Sequence, residues 1–238
     1  MILYGRNPVR ESLRGKRSVS RVWATGSALA TEPWLVEAPS TAEVAGPALE
    51  ELCGSRDHQG VCAEVGEYPY TDADAFWDAD DALVLVLDEI QDVQNLGAVC
   101  RVAESAGLAG VVIPGRRAAE VTPAACKASA GAVEHIDIAR VRNVADWLGQ
   151  AKEREAWVYG AATGSGSVPY TDPDYRGRVA LVLGSEGRGL RPRVAAACDQ
   201  LVALPQRGRL DSLNVSTATA ALVYGILQSR RQGLDKGP

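Results

Sequence analysis

The stretch LVLVLDEIQDVQNLGAVCRVAESAG, Leu83 to Gly107, holds a strand, a polar loop and a helix in succession. LVLVLD is an unbroken run of Leu and Val, the composition of a strand buried on both faces of a parallel sheet. Beyond the loop, Leu96, Val99, Val102, Ala103 and Ala106 recur on one helical stripe that Gly107 ends. A buried strand feeding an amphipathic helix is half of a βαβ unit, so this stretch sets the fold class as α/β.

The alternation continues downstream. GVVIP (110–114), HIDI (135–138), WVYGA (157–161), VALVLG (179–184) and LVALP (201–205) predict strands. TPAACKASAGA predicts a helix with Thr122 as N-cap and Pro123 at its first position, and NVADWLGQAKER a second. SLNVSTATAALVYGILQSRR (212–231) predicts a closing helix, capped by Asp211 or Ser212. Together these imply a mostly parallel sheet covered on both faces, occupying residues 82–238.

Upstream lies a smaller α/β module, residues 1–66. It opens with the amphipathic NPVRESLRGK (7–16), continues with the β-like SRVWAT and ends in the strand GVCAEV (60–65). A core this thin needs support from something larger. Between the two units EYPYTDADAFWDADD (67–81) reads as an acidic linker.

The 238 residues carry a net charge of -5, unevenly spread. Residues 1–25 hold six cations against Glu11, and residues 176–209 hold seven Arg against Glu186 and Asp199. Residues 67–92 hold nine acids and no base. Two basic ends fit a polyanionic partner, with Arg6, Arg10, Arg207 and Arg209 as candidate phosphate contacts. Five cysteines without a C-x-x-C pair, and only His58 and His135 beside them, argue against a disulfide scaffold or a metal site. His58 reads as a capping or core residue. No apolar run has membrane-spanning length and MILYGRNPVRESL is unlike a signal peptide, so a cytoplasmic protein with no membrane partner is expected.

Ligands in open parallel sheets bind beyond the carboxyl ends of strands, and three loops there are rich in Gly and polar residues. The first carries Asn95, Gly97 and Arg101 as N-x-G-x-x-x-R. The second is LVLGSEGRGL, where Gly184, Gly187 and Gly189 flank Glu186; its spacing is neither the dinucleotide fingerprint nor a P-loop, which excludes the nucleotide-dependent oxidoreductase reading. The third, LPQRGRLDSLNVSTATAAL, crowds Ser212, Asn214, Ser216, Thr217 and Thr219 at a helix start beside Arg207 and Arg209. Local capping explains one or two of these polar residues but not the set.

In this order the three loops resemble the motifs of the SpoU (TrmH-like) branch of the SPOUT superfamily. The resemblance spans Leu83 to the final helix and includes PAACKASAGAVEHI. LYGRNPVRESL and HQGVCAEV are similar to the L30e-like substrate-binding domain of the bacterial 23S rRNA guanosine 2'-O-methyltransferases of the RlmB type. The resemblance implies a SPOUT domain with a C-terminal trefoil knot, a homodimer, and S-adenosylmethionine-dependent methylation of an RNA ribose, first of all a guanosine of 23S rRNA. It implies catalytic roles for Arg101, Asn95, Glu186, Ser212 and Asn214, with Asn95 and Glu186 organising Arg101 by hydrogen bonding. It puts the cofactor around Thr163, Gly184, Leu204, Ser212, Leu213 and Asn214. Arg101 is either a base or a clamp on the neighbouring phosphate, and a guanidinium pKa above about 12 weighs against the base. A tRNA ribose methyltransferase, an antibiotic-resistance rRNA methyltransferase and a non-catalytic ribosome-assembly factor are the competing readings.

Overall fold

The computed structural model describes residues 1–164, 166–209 and 212–235. Its first sheet comprises β1 (Ile2–Tyr4), β2 (Val19–Ala24), β3 (Thr41–Glu43) and β4 (Val61–Val65), ordered β1-β4-β2-β3. β4 runs antiparallel to both β1 and β2, and β3 joins β2 in parallel. The helices α1 (Arg6–Ser12), α2 (Gly26–Thr31) and α3 (Gly46–Cys53) complete this unit.

The second sheet has seven strands, all parallel: β5 (Leu83–Asp88), β6 (Gly110–Pro114), β7 (Ile138–Val141), β8 (Trp157–Ala161), β9 (Ser167–Pro169), β10 (Val179–Gly184) and β11 (Gln200–Ala203). Their order is β7-β6-β5-β10-β8-β11-β9. The side-chain period of two divides β5 between the faces. Leu83, Leu85 and Leu87 pack with α4 (Val93–Ser105), α5 (Pro123–Ala128) and α8 (Val215–Asp235); Val84 and Val86 pack with α6 (Val144–Glu153) and α7 (Pro192–Ala197). Strand order reverses between β5 and β10, which makes their carboxyl ends the topological switch point.

Three readings are corrected. The strand expected at 135–138 begins only at Ile138, because His135 and Asp137 turn toward the first unit, where they meet Glu11 and Lys16. The closing helix begins at Val215, and its cap is Asn214, whose Oδ1 accepts from the N–H groups of Ser216 (2.9 Å) and Thr217. Ser212 lies outside the helix and Asp211 outside the described residues.

Residues 67–81 do not hang free. Their acids Asp72, Asp74, Asp78, Asp80 and Asp81 face outward while Tyr68, Ala73, Phe76 and Trp77 are buried. Trp77 stacks on Trp147 at 5.6 Å, and the Tyr68 hydroxyl reaches the carbonyls of Val133 and Ile136 at 3.1 and 3.0 Å.

The two sheets share one apolar core, which runs from Leu3, Val9 and Val61 to Leu85, Leu96 and Cys126. At its edge Arg17 forms a fully buried ion pair with Glu134, donates Nε to Glu134 Oε2 at 3.0 Å, and lies over the Tyr68 ring. Lys16 to Asp137 (2.5 Å) and Glu11 to His135 (2.8 Å) flank it nearer solvent. Helix α8 is tied down by Arg230, which donates to the carbonyls of Tyr175, Asp81 and Gly177. No described helix is long and apolar enough to cross a membrane, and among the described residues no group of three or more His, Cys, Asp or Glu is arranged to hold a metal ion.

Candidate active site

The loops after β5 and β10 meet at the switch point. Asp92 caps α4 by accepting the Gln94 N–H at 2.8 Å, which sets Asn95 in the helix's first turn. Gly97, one residue past Leu96, is a packing requirement rather than a ligand contact. A Cβ there would lie 2.5 Å from Ala128 Cβ and 2.8 Å from the Ala125 carbonyl oxygen, so α4 and α5 approach this closely only with Gly.

After β10 the chain folds back on itself, with the Gly189 N–H donating to the Ser185 carbonyl at 2.9 Å. A Cβ on Gly184 would stand 2.1 Å from the Gly189 carbonyl carbon, so this turn admits no side chain at that position. The turn lifts Glu186 toward α4 and α8. Glu186 Oε1 accepts from Asn214 Nδ2 (2.6 Å), Asn95 Nδ2 (3.2 Å) and the Val215 N–H (3.3 Å). Asn214 Nδ2 also donates to Asn95 Oδ1 at 2.9 Å. The three loops singled out in the sequence are thus joined by one carboxylate oxygen and two amides.

The turn is braced from beneath by residues that sequence reasoning passed over. Asp88, fully buried at the end of β5, accepts from the Arg191 N–H at 2.8 Å and from Arg191 Nε at 2.7 Å. The side-chain bond to Asp88 holds the Arg191 guanidinium above its ordinary pKa. The signal was an Asp closing an otherwise apolar strand, which has to find a cation or a set of N–H donors.

A cavity of about 400 Å³ opens on the side of β8, β10 and β11. Thr163, Gly184, Leu204, Ser212 and Leu213 line it, together with Glu186 and the apolar Val202, Val215 and Leu222. Of the residues expected around a cofactor only Asn214 is not in the wall; it stands behind Glu186. A second cavity, about 300 Å³, adjoins it and is lined by Gln91, Asp92, Asn95, Ser185, Glu186 and Arg188. Ser185 and Glu186 belong to both, so they form the partition.

Arg101 lies on the exposed surface of α4, and among the described residues of the single chain it makes no hydrogen bond or ion pair; within that chain Asn95 and Glu186 bind each other and Asn214. Six residues of helix separate Arg101 from Asn95, a rotation that puts them on different faces. Arg10, Arg207 and Arg209 are also exposed, while Arg6 is paired with Glu32 at 2.8 Å.

Two family models divide the chain between them. The SpoU rRNA Methylase family matches residues 82–224, and the RNA 2'-O ribose methyltransferase substrate-binding family matches residues 2–71. The chain belongs to the SpoU methylase family. A Bacillus subtilis protein, YacO, named to the TrmH family of tRNA/rRNA methyltransferases, is 35% identical over 95% of this chain and 94% of its own. The SpoU methyltransferase AviRb of Streptomyces viridochromogenes, solved in complex with AdoMet, superposes with a TM-score of 0.82 at 24% identity, covering 97% of this chain and 90% of that one. An AdoMet-bound rRNA methyltransferase of Sinorhizobium meliloti gives 0.78 at 24% identity, over 95% and 86%. Both likenesses span the two sheets, so the SpoU fold and its preceding module occur here together.

Proposed function

We propose that this SpoU-family methyltransferase moves the methyl group of S-adenosylmethionine to the 2'-hydroxyl of a ribose in ribosomal RNA, with a guanosine of 23S rRNA as first candidate. The observation that carries this reading is the convergence of Asn95, Glu186 and Asn214 at the mouth of a cavity walled by the residues expected around the cofactor.

The cavity suits such a ligand. Val202, Leu204, Leu213, Val215 and Leu222 offer an apolar wall, and Gly184, Gly187 and Gly189 in the turn let backbone groups come close. When bound there, S-adenosylmethionine supplies an electrophilic methyl on a sulfonium. The remaining work falls to the chain's own groups. Glu186 and Asn214 together fix the Asn95 amide, so Asn95, in the wall of the adjoining cavity, meets an incoming ribose in one orientation without reorganising. The adjoining cavity, separated only by Ser185 and Glu186, takes the target nucleoside. Arg101, exposed and unpaired among the described residues, clamps the neighbouring phosphate with its guanidinium fork and lowers the hydroxyl pKa electrostatically. In one chain it stands apart from the cavity, which favours a homodimer in which each site draws on both subunits.

Ribosomal rather than transfer RNA is favoured by the reach of the likeness to the S. meliloti rRNA methyltransferase, which covers 95% of this chain and so takes in the substrate-binding unit. The reading includes the trefoil knot of the family in the C-terminal third, and a cytoplasmic location, where this RNA is made; the five cysteines, all free, accord with it. The test is transfer of labelled methyl to unmodified 23S, 16S and transfer RNA, with mapping of the product. A single ribose-methylated guanosine in 23S rRNA is the expected result; a transfer-RNA product would replace the substrate, and transfer to none would overturn the reading.

A further inference from the structure

The smaller cavity beside the cofactor pocket, about 300 Å³, holds more acid than the positioning of Asn95 requires. Glu89, Asp92 and Glu186 contribute carboxylates to its wall, and Arg188 contributes a cation. Two of the three carboxylates are engaged. Asp92 Oδ1 accepts the Gln94 N–H at the start of α4, and Glu186 Oε1 holds the amides of Asn95 and Asn214. Glu89 accepts no hydrogen bond among the described residues. Arg191 Nη1 stands 3.4 Å from its Oε1, beyond ordinary hydrogen-bond length, and Oε2 has no partner there. Yet the Glu89 side chain is only 17% exposed. Its backbone is also left-handed, with φ +58°, a conformation that suits glycine and strains a residue carrying a Cβ. This strained position directly follows Asp88, the last residue of β5, and so lies at the switch point itself.

A cavity rich in carboxylates repels phosphate and suits a ligand that presents hydrogen-bond donors. Of the four RNA bases, guanine alone carries two adjacent donors on its Watson–Crick edge, N1–H and the 2-amino group, and these match the two oxygens of one carboxylate. Adenine and cytosine each set a bare ring nitrogen beside their amino group, and uracil sets its single N–H between two carbonyls, so each would turn a lone pair toward a carboxylate oxygen. We propose that Glu89 reads the base of the target nucleoside as guanine, its carboxylate accepting from N1–H and the 2-amino group while Arg188 donates to O6. Glu89 is then a specificity-determining residue, and Asn95, in the same wall, is left to meet the ribose. The inference rests on the ribose-methyltransferase reading of this site and deepens it by naming the group that selects the base. The long contact to Arg191 gives Glu89 a structural role besides, and base preference is the readout which such a role does not move.

The test uses the full chain and the RNA that the wild-type protein methylates, 23S rRNA first. That RNA is assembled by splinted ligation with guanosine, inosine or adenosine at the mapped nucleotide; inosine lacks only the 2-amino group. Initial rates at saturating S-adenosylmethionine give kcat/KM for each RNA. Wild type is expected to prefer guanosine to inosine by about tenfold, and to adenosine by about a hundredfold or more. Glu89→Gly removes the carboxylate and relieves the left-handed backbone, so its fold is secure. Glu89→Gln keeps the shape and sets an amide N–H against the donors of the base. In both variants the guanosine-to-inosine ratio is expected to fall to about twofold or less, chiefly through loss on guanosine. A Glu89 that only braces Arg191 would lower all three rates by one factor and leave the ratio at its wild-type value, which overturns the proposal while the methyltransferase reading stands. A wild type indifferent to the 2-amino group, or one whose mapped nucleotide is not guanosine, overturns it in the same way. A wild type that methylates no RNA overturns that reading and this inference together.

Discussion

Arg191 grips both oxygens of the buried Asp88 carboxylate, through its own backbone N–H on Oδ2 at 2.8 Å and through Nε on Oδ1 at 2.7 Å, with Nη2 2.6 Å from the same Oδ1. The first bond fixes where the chain re-enters after the Glu186 turn, and the second ties that point to the end of β5. Asp88→Ala is expected to cost about 2 kcal/mol, less than a fully buried pair because the Arg191 side chain is 42% exposed. The decisive readout is cofactor affinity: loosening the turn lowers it, whereas a purely global destabiliser of equal size leaves calorimetric binding at 25 °C intact.

Arg17 and Glu134 form the other buried pair, 117 residues apart. Removing either charge alone strands its partner in the shared core and is expected to cost about 3–5 kcal/mol. Replacing both, Arg17→Met with Glu134→Met, recovers most of that. Urea unfolding of the two singles and the double gives the coupling energy, and additive losses would show that the pair does not act as a unit.

Arg101→Ala is expected to lower kcat by about a hundredfold or more while the cofactor's Kd stays within about twofold. Calorimetry and single-turnover transfer separate the two. Loss of cofactor binding would move Arg101 from the RNA side of the site to the cofactor side.

Burial pushes the Cys100 thiol up to about 12 and the Cys126 thiol to about 11, from an ordinary 9.0. Both stay neutral in the fold while the unfolded chain ionises, so the stability linked to them is complete below pH 9 and falls as pH rises from 9 toward 11–12. Each contributes a slope of about 1.4 kcal/mol per pH unit in that window. Chemical denaturation at pH 8, 9.5 and 10.5 measures it; flat stability would contradict the assignment, as would rapid alkylation of either thiol in the native protein at pH 8.

Most of the second sheet was legible because its central strands, LVLVLD and VALVLG, are apolar on both faces and bounded by glycine-rich loops. The site was legible as three loops but not as a network. Ser212, Asn214 and Ser216 all compete for the cap within one turn, and only the position of Glu186 selects Asn214. The strand expected at HIDI is displaced because its polar members pair across the seam with residues more than a hundred positions earlier, which no local pattern records. In 67–81 the density of Asp concealed Phe76 and Trp77, whose adjacency matches neither a helical nor a strand period. Arg101 was placed at the site by resemblance; the orientation of α4 sets it elsewhere in a single chain.

The central claim is that the methyl reaches a ribose oxygen. The most direct measurement is alkaline hydrolysis of 23S rRNA labelled by the protein from S-adenosylmethionine, because a 2'-O-methyl group blocks cleavage of the adjacent phosphodiester. The account predicts label in an alkali-stable dinucleotide with guanosine as its 5' member. Label recovered wholly in mononucleotides would place the methyl on a base and contradict it.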